Sequence, residues 1–286
     1  MPDEPEASLS SRPGAQMSLT SYDLFKVTAL ILMVIDHVGW IFFPDQMWFR
    51  VLGRLSIPIW FFLIGFAGGR PVPLSWLLCG ALLVGSSMMA GEFVFPLDVL
   101  FTLAYARYIG AEMTLRAVRS NETLAGMFFL LVLLAFFTAG MTEYGTAGLL
   151  FTLWGGMTRL RYEGGEFLTR RAVWAYGAAS GLFYAFMQGL YMPILSVPQF
   201  WIMLCGTWGV MILLIRFRPV SYETVSGKLP SAFIAVFHWC GRHTLVIYTV
   251  HLIAFEAAGI YLFPERFSFL HWQWLAPGLL KILLMS

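Results

Sequence analysis

Long apolar runs, separated by short polar loops, cover almost the whole chain. The first run contains about 20 residues, which is the length that an α-helix needs to cross the hydrocarbon core of a bilayer. The pattern predicts ten transmembrane helices, or nine if the short or interrupted runs near positions 55, 93, 144 and 270 do not all span. The runs are Leu24–Phe43, Leu55–Ala67, Leu74–Ala90, Phe93–Ile109, Leu124–Thr138, Tyr144–Thr158, Ala172–Tyr191, Phe200–Ile215, Thr244–Phe263 and Leu270–Met285.

The composition agrees with a membrane protein. Of the 286 residues, 59% are hydrophobic and 12% are charged, against about 25% charged in soluble domains. The formal net charge is only +2, so no basic field for nucleic acid is present. We therefore expect an all-α, polytopic transmembrane helical bundle whose surroundings are the lipid bilayer. It forms one domain over residues 21–286, after a polar tail at 1–20 that we expect to be disordered.

Lysine and arginine occur mainly in alternate loops, and positive charge marks the cytoplasmic side of a membrane. This distribution predicts a cytoplasmic N-terminus and an even number of crossings. The residues predicted on the cytoplasmic side are Arg70, Arg107, Arg116, Arg119, Arg159, Arg161, Arg170, Arg171, Arg216, Arg218 and Lys228, and those on the other side are Arg50, Arg54 and Arg266.

The first predicted helix contains three ionisable residues. Lys26 lies at its cytoplasmic end, and His37 follows 11 residues later, which is close to three turns and roughly 16 Å along one helix face. Ionisable groups inside a span mark function by default, because burying them is costly. Such a face suits a cofactor held by its phosphates at Lys26 and reacting beside His37, as general base or acid. Asp36 either tunes His37 or belongs to a structural or ion-transporting pair.

Further candidates lie in other predicted helices. Arg54 enters the second helix at a depth similar to that of Asp36 and either pairs with it, clamps an anion or lies at the interface. In the ninth helix Thr244, Tyr248 and His251 share one stripe, and His251 reaches the depth of His37.

The cytoplasmic arginines Arg107 and Arg242 are candidates for a phosphate-binding rim. Asp98 lies at the start of the fourth predicted helix and Glu143 at the start of the sixth, where helix capping explains them more readily than catalysis does. The three cysteines are far apart in apolar runs, and no close histidine pair occurs, so we expect no metal site.

The chain also resembles a known family. The opening LFKVTALILMVIDHVGWIFFP, followed by FRVLGRLSIPIWFFLIGFAGG, is similar to the TraX family of conjugation systems, which is associated with N-terminal acetylation of pilin. The segments DVLFTLA at 98–104, TEYGTAGLL at 142–150 and HTLVIYTVHL at 243–252 resemble family segments in the same order. Asp98 stands where the family usually has asparagine. The family in turn resembles acyltransferase-3 type membrane proteins, which share a basic residue, ten residues and then histidine.

This resemblance implies a multi-pass protein of the bacterial inner membrane that takes acetyl-CoA or another acyl-CoA from the cytoplasm. Lys26 would meet the CoA phosphates, His37 would serve the transfer, and Arg54 would belong to the site. The acceptor is open: a pilin-like peptide, a glycan or a small amine. Two alternatives remain. The first is a proton-coupled secondary transporter that uses Asp36, His37, His251 and Glu256, and the second is a catalytically idle membrane partner in an assembly.

Overall fold

A computed structural model describes residues 18–69, 71–165, 169–192 and 195–276 of the chain. These residues form a helical bundle with one small sheet. The helices are α1 (Ser21–Phe42), α2 (Met47–Gly53), α3 (Ser56–Ala67), α4 (Leu74–Met89), α5 (Val99–Ala117), α6 (Asn121–Thr138), α7 (Gly145–Tyr162), α8 (Arg170–Tyr191), α9 (Val197–Leu214), α10 (Glu223–Ser226), α11 (Ser231–Arg242) and α12 (Thr244–Leu262), and the strands are β1 (Phe93–Phe95) and β2 (Gln273–Leu275).

Five segments of the described residues are long and apolar enough to cross a membrane. The predicted count of ten membrane spans is therefore not confirmed, whereas the prediction of an integral membrane protein is confirmed. The helices α5, α7 and α8 are long, but they contain more polar and small residues and are not apolar enough to count among these five segments. The five segments are Ser21–Phe42, Met47–Ala67, Asn121–Thr138, Val197–Leu214 and Thr244–Leu262, and α4 is a shorter apolar helix.

Helix α7 is one of these less apolar helices, and it is packed among other helices of the bundle. Fourteen consecutive residues, from Gly145 to Thr158, are buried, because α3, α5, α6 and α8 surround it. It crosses α3 with almost no space between the backbones. A Cβ atom at Gly155 would overlap the carbonyl oxygen of Phe62, and one at Gly65 would overlap that of Thr152. Small residues at such a crossing let two helix backbones approach closely.

The apolar runs that were predicted to be helical from Phe93 and from Leu270 are not helical at their first residues. Residues 93–95 form β1, and α5 begins only at Val99. Residues 273–275 form β2, which pairs in parallel with β1. The prediction of a helix from Leu270 was wrong at residues 270–276, because backbone groups there bond to the 89–95 segment instead: Leu270 N–H donates to Met89 O, and Gln273 N–H donates to Glu92 O. The remainder of that predicted helix, 277–286, and residues 1–17 of the predicted tail lie outside the described residues.

Contacts between loops define two ends of the bundle. At one end, Ser21 N–H donates to Val220 O at 3.0 Å, and Arg159 donates to Ala67 O at 3.2 Å. Tyr22, which follows Ser21, contacts Phe66, which precedes Ala67, with ring centroids 6.5 Å apart, so the two hydrogen bonds belong to the same end. We call this the basic end, since it gathers the loops rich in lysine and arginine.

The acidic end lies opposite, where Trp40 donates to Glu92, Leu97 pairs with Thr142 and Arg266 donates to Trp40 O. The sequence grouped these loops correctly, apart from Arg70, which lies outside the described residues. Which end faces the cytoplasm stays a prediction from charge.

We expect Gly155→Ala to lower the free energy of unfolding by about 1–3 kcal/mol, because the added methyl group separates α7 from α3. Thermal unfolding in detergent measures the change. Gly126→Ala in α6 is the control, since nothing lies within 4 Å of a Cβ at that position. Equal melting temperatures for the two variants would contradict this account of the crossing.

We expect the basic end to face the cytoplasm. In a background without native cysteines, a membrane-impermeant maleimide added to intact cells should label Met141→Cys at the acidic end and leave Arg119→Cys unlabelled until the cells are opened. The reverse pattern would invert the orientation, and labelling of both from outside would contradict the two-ended arrangement.

Candidate functional site

One cavity of about 1100 Å³ runs through the bundle and joins its two ends. It is larger than most small-molecule sites. Lys26, Arg107 and Thr244 line it toward the basic end, and it continues to the carboxyl groups of the acidic end. The ionisable side chains that line it are Tyr22, Lys26, Asp36, His37, Arg50, Arg54, Glu92, Asp98, Arg107, Glu143, Tyr144, Tyr191, Tyr248 and Glu256.

His37 meets His251 across the contact between α1 and α12. His37 Nδ1 lies 2.8 Å from His251 Nε2, and His251 Nδ1 lies 2.7 Å from the carbonyl oxygen of Ile247. The two side chains that the sequence placed at similar depth are therefore joined directly. Tyr248 lines the cavity beside them, with its ring centroid 5.7 Å from that of His37.

Asp36 faces away from this histidine pair, toward α2. Arg50 Nη1 donates to Asp36 Oδ2 at 2.6 Å, whereas Arg54 Nε stays 3.7 Å from Asp36 Oδ1. The main partner of Asp36 is thus Arg50, and Arg54 is second. All three side chains are at least 86% buried. Asp36 Oδ1 and Arg54 Nε are the two atoms of this cluster without a hydrogen-bond partner among the described residues.

Arg54 lies where α2 ends and α3 begins. Its guanidinium donates to the hydroxyl of Tyr144 and lies 5.2 Å from the centre of that ring. Its backbone carbonyl accepts from Tyr184 at 2.8 Å. The preceding Gly53 allows the approach of α1, because a Cβ there would overlap the side chain of Asp36. Arg54 is therefore part of the cavity wall rather than a residue at the membrane surface.

Asp98 combines two roles. It caps α5 by accepting from Leu100 N–H at 2.8 Å, as the sequence predicted, and it also accepts from the Tyr248 hydroxyl at 2.6 Å. Burial and the nearby Glu143 carboxyl raise the pKa of Asp98 to about 7, although the bond from Tyr248 opposes the shift.

Glu143 does not cap α7. The N-cap of α7 is Tyr144, in a left-handed conformation and without a side-chain cap bond, so the capping interpretation was wrong for Glu143. Its carboxyl lines the cavity instead. Burial raises the pKa of Glu143 above its usual value, against the opposing effect of Arg54 and Arg50.

Two more carboxyl groups line the cavity at the acidic end. Glu256 on α12 accepts hydrogen bonds from the hydroxyls of Ser86 and Ser87. Glu92 accepts from Trp40 Nε1 at 3.2 Å. Burial and the Glu256 carboxyl raise the pKa of Glu92 from 4.5 to about 7.

The cationic candidates at the basic end differ in position. Lys26 lines the cavity, and its Nζ lies 3.4 Å from the carbonyl oxygen of Gly241. Arg107 also lines the cavity and stacks over Trp76 at 5.2 Å. Arg242 ends α11 and is exposed, and it is not among the cavity-lining residues.

Sequence reasoning missed Arg50 and Glu92 as members of the site. The spacing of Arg50 and Arg54 was the available signal, since residues four apart share a helix face. Nothing local marked Glu92, because it reaches the cavity through the turn between α4 and β1. Among the described residues there is no cluster of three or more side chains suited to hold a metal ion.

Comparison with known proteins gives a family match over most of the chain and a match to a curated protein over a short stretch. The model of the family described as "TraX protein" matches residues 21–258. A 52-residue stretch is 36% identical to the uncharacterized protein RP591 of Rickettsia prowazekii (strain Madrid E), and this stretch makes up 18% of the chain and 21% of that relative. No solved structure matches.

The family match extends from the start of α1 into α12 and includes the His37–His251 pair, the Asp36–Arg50 pair and most of the cavity wall. A match over this much of the chain decides membership, and the chain belongs to the TraX family.

Proposed function

We propose that this chain is an integral-membrane acyltransferase. It moves an acyl group, with acetyl as the first choice, from cytoplasmic acyl-CoA to an amine or hydroxyl acceptor, and His37 is the general base. Membership in the TraX family fits a membrane protein that modifies pilin in conjugation, and a pilin-like peptide is one acceptor consistent with it. The observation that carries the proposal is that Lys26 and His37 line the same cavity.

The basic end of the cavity suits the donor. Lys26 and Arg107 both line it, and cationic side chains bind phosphate groups through charge-assisted hydrogen bonds. His37 lies three turns of α1 away, roughly 16 Å along the axis. A donor that is anionic at one end and reactive at the other fits this separation.

The acidic end suits the acceptor, and it favours an amine over a hydroxyl. Glu92, Asp98, Glu143 and Glu256 line the cavity there, and carboxylates attract a protonated amine. The pKa values of about 7 at Glu92 and Asp98 allow these groups to take the extra proton of an ammonium group near neutral pH. The neutral amine that remains is the nucleophile.

The acyl transfer takes place beside His37, between the basic and the acidic end of the cavity. His37 removes a proton from the acceptor as its nitrogen or oxygen attacks the thioester carbon. The new bond to that carbon forms, the carbon–sulfur bond breaks, and the proton held by His37 passes to the leaving thiolate. The Arg54 guanidinium, which lines the cavity beside Asp36, is a positive group that can stabilise the oxyanion. The alternative of proton-coupled transport rests only on buried ionisable groups that both functions share.

We expect purified protein to bind acetyl-CoA and Lys26→Ala to weaken the affinity about tenfold or more, since one charge-assisted phosphate contact contributes about 1.5–3 kcal/mol. His37→Ala should keep the affinity and lower the rate of transfer by about 10²–10⁴. Titration with labelled acetyl-CoA in detergent, followed by transfer to an added amine, measures both.

Arg116→Ala is the matched control. It removes a cation of the same region whose side chain is exposed and paired with Glu112, so binding and transfer should both stay unchanged. Folded wild-type protein that binds no acetyl-CoA would contradict the proposal.

We expect Glu92→Gln to raise the KM for a primary alkylamine about three- to tenfold at pH 8, where an ion pair of about 1 kcal/mol is lost. At pH 6 the effect should shrink. Below its pKa of about 7, Glu92 is mostly protonated, so glutamine replaces a neutral group. Initial rates at both pH values, with the alkylamine protonated throughout, measure the difference.

The control for this prediction is Glu112→Gln, since that carboxyl is exposed on α5 and should not affect KM at either pH. Equal effects of Glu92→Gln at pH 6 and pH 8 would show that Glu92 does not act through its charge.

A further inference from the structure

We infer that His251 is a positioning residue. It holds His37 in the tautomer that carries the proton on Nδ1, so that Nε2 keeps the lone pair needed by a general base. This inference rests on the proposed function of His37, and it adds which ring nitrogen reacts and what selects that nitrogen.

The first step concerns His251 alone. Its Nδ1 lies 2.7 Å from the carbonyl oxygen of Ile247, one turn earlier on α12. A carbonyl oxygen only accepts hydrogen bonds, so Nδ1 must carry the hydrogen. A neutral imidazole has a single N–H group, and therefore Nε2 of His251 is an acceptor.

The second step concerns His37, whose tautomer follows from that of His251. Its Nδ1 lies 2.8 Å from His251 Nε2. Since that nitrogen accepts, His37 Nδ1 must donate, and the remaining nitrogen of His37 has no hydrogen. Among the described residues, no hydrogen bond is made to His37 Nε2, and the His37 side chain lines the cavity. The lone pair of Nε2 is thus left for a substrate.

Packing keeps His251 in this orientation. Its ring makes edge contacts with Phe255 and Tyr248, at centroid distances of 5.4 Å and 5.8 Å. The Tyr248 hydroxyl donates to Asp98 and so does not compete for either histidine. A rotation of the His251 ring would break its bonds to Ile247 and to His37 together.

The arrangement serves both proton transfers of the reaction. When His37 Nε2 takes the proton of the attacking amine, His37 becomes a cation and its Nδ1–H bond to His251 becomes charge-assisted, hence stronger. When Nε2 then gives this proton to the leaving thiolate, the neutral tautomer is restored. His251 exchanges no proton with the substrate, and no further reactant is required.

Three substitutions at position 251 separate a positioning role from a packing role. His251→Gln offers a carbonyl oxygen as acceptor, His251→Leu offers no polar group, and His251→Lys offers only donors. With labelled acetyl-CoA and an alkylamine acceptor, we expect kcat to fall only a few-fold in the glutamine variant. In the leucine and lysine variants it should fall by about 10²–10⁴, as for a triad histidine in the wrong tautomer.

The KM for acetyl-CoA and the melting temperature should change little in the glutamine and leucine variants. The matched control is His271→Leu, which removes an exposed histidine whose Nδ1 likewise lies at hydrogen-bond distance from a backbone carbonyl oxygen and should leave kcat unchanged. A leucine variant as active as the glutamine variant would overturn the inference.

A readout without turnover tests the tautomer directly. In protein labelled with ¹⁵N-histidine, NMR should show His37 protonated at Nδ1 in the wild type and in His251→Gln, but not in His251→Lys, with the His37→Gln spectrum supplying the assignment. A hydrogen on His37 Nε2 in the neutral wild-type protein would overturn the inference even if acyl transfer is observed. Conversely, the expected tautomer without acetyl-CoA binding would reject the proposed function alone.

Discussion

The ion pair between Asp36 and Arg50 is the constraint on which the centre of this molecule depends. Two opposite charges, 2.6 Å apart, lie between α1 and α2 on side chains that are at least 88% buried. Removing one partner of such a buried pair costs about 3–5 kcal/mol, because the other charge is left uncompensated. The pair therefore sets how α1 lies against α2. Gly53 permits the contact, and the break between α2 and α3 follows immediately at Arg54.

The pair also decides what His37 faces. Neighbouring side chains on a helix diverge by about 100°. Because Asp36 is held toward Arg50 and Arg54, His37 points toward α12 and contacts His251. The two neighbouring residues therefore have different partners: the Asp36 carboxylate pairs with guanidinium groups, and the His37 imidazole bonds the neutral ring of His251. Had Asp36 reached His37 directly, the histidine would have had an ionised partner and a different environment.

The sequence predicted those features that depend on spacing within one helix. The transmembrane character, the common face of Lys26 and His37 and the cap of α5 by Asp98 all follow from local rules. Several features that depend on partners distant in the chain were missed. Arg50 was taken for a charge outside the membrane, Glu143 for a helix cap, and residues 273–275 for helix instead of a strand beside β1. The predicted number of spans stays unconfirmed, because five segments of the described residues are apolar enough to cross a membrane, whereas α7 is packed among other helices.

The distribution of charge along the cavity favours the proposed acyl transfer over transport. Cations line one end and four carboxyl groups line the other, while the Asp36–Arg50 pair and His37 lie between them. A single permeating ion would meet attraction at one end and repulsion at the other. Two different substrates, an anionic donor and a cationic acceptor, would each be attracted to one end and would meet at the histidines. Their charges would also keep each from entering the half of the cavity that the other uses, so binding order would matter little and the reacting groups would be brought together beside His37.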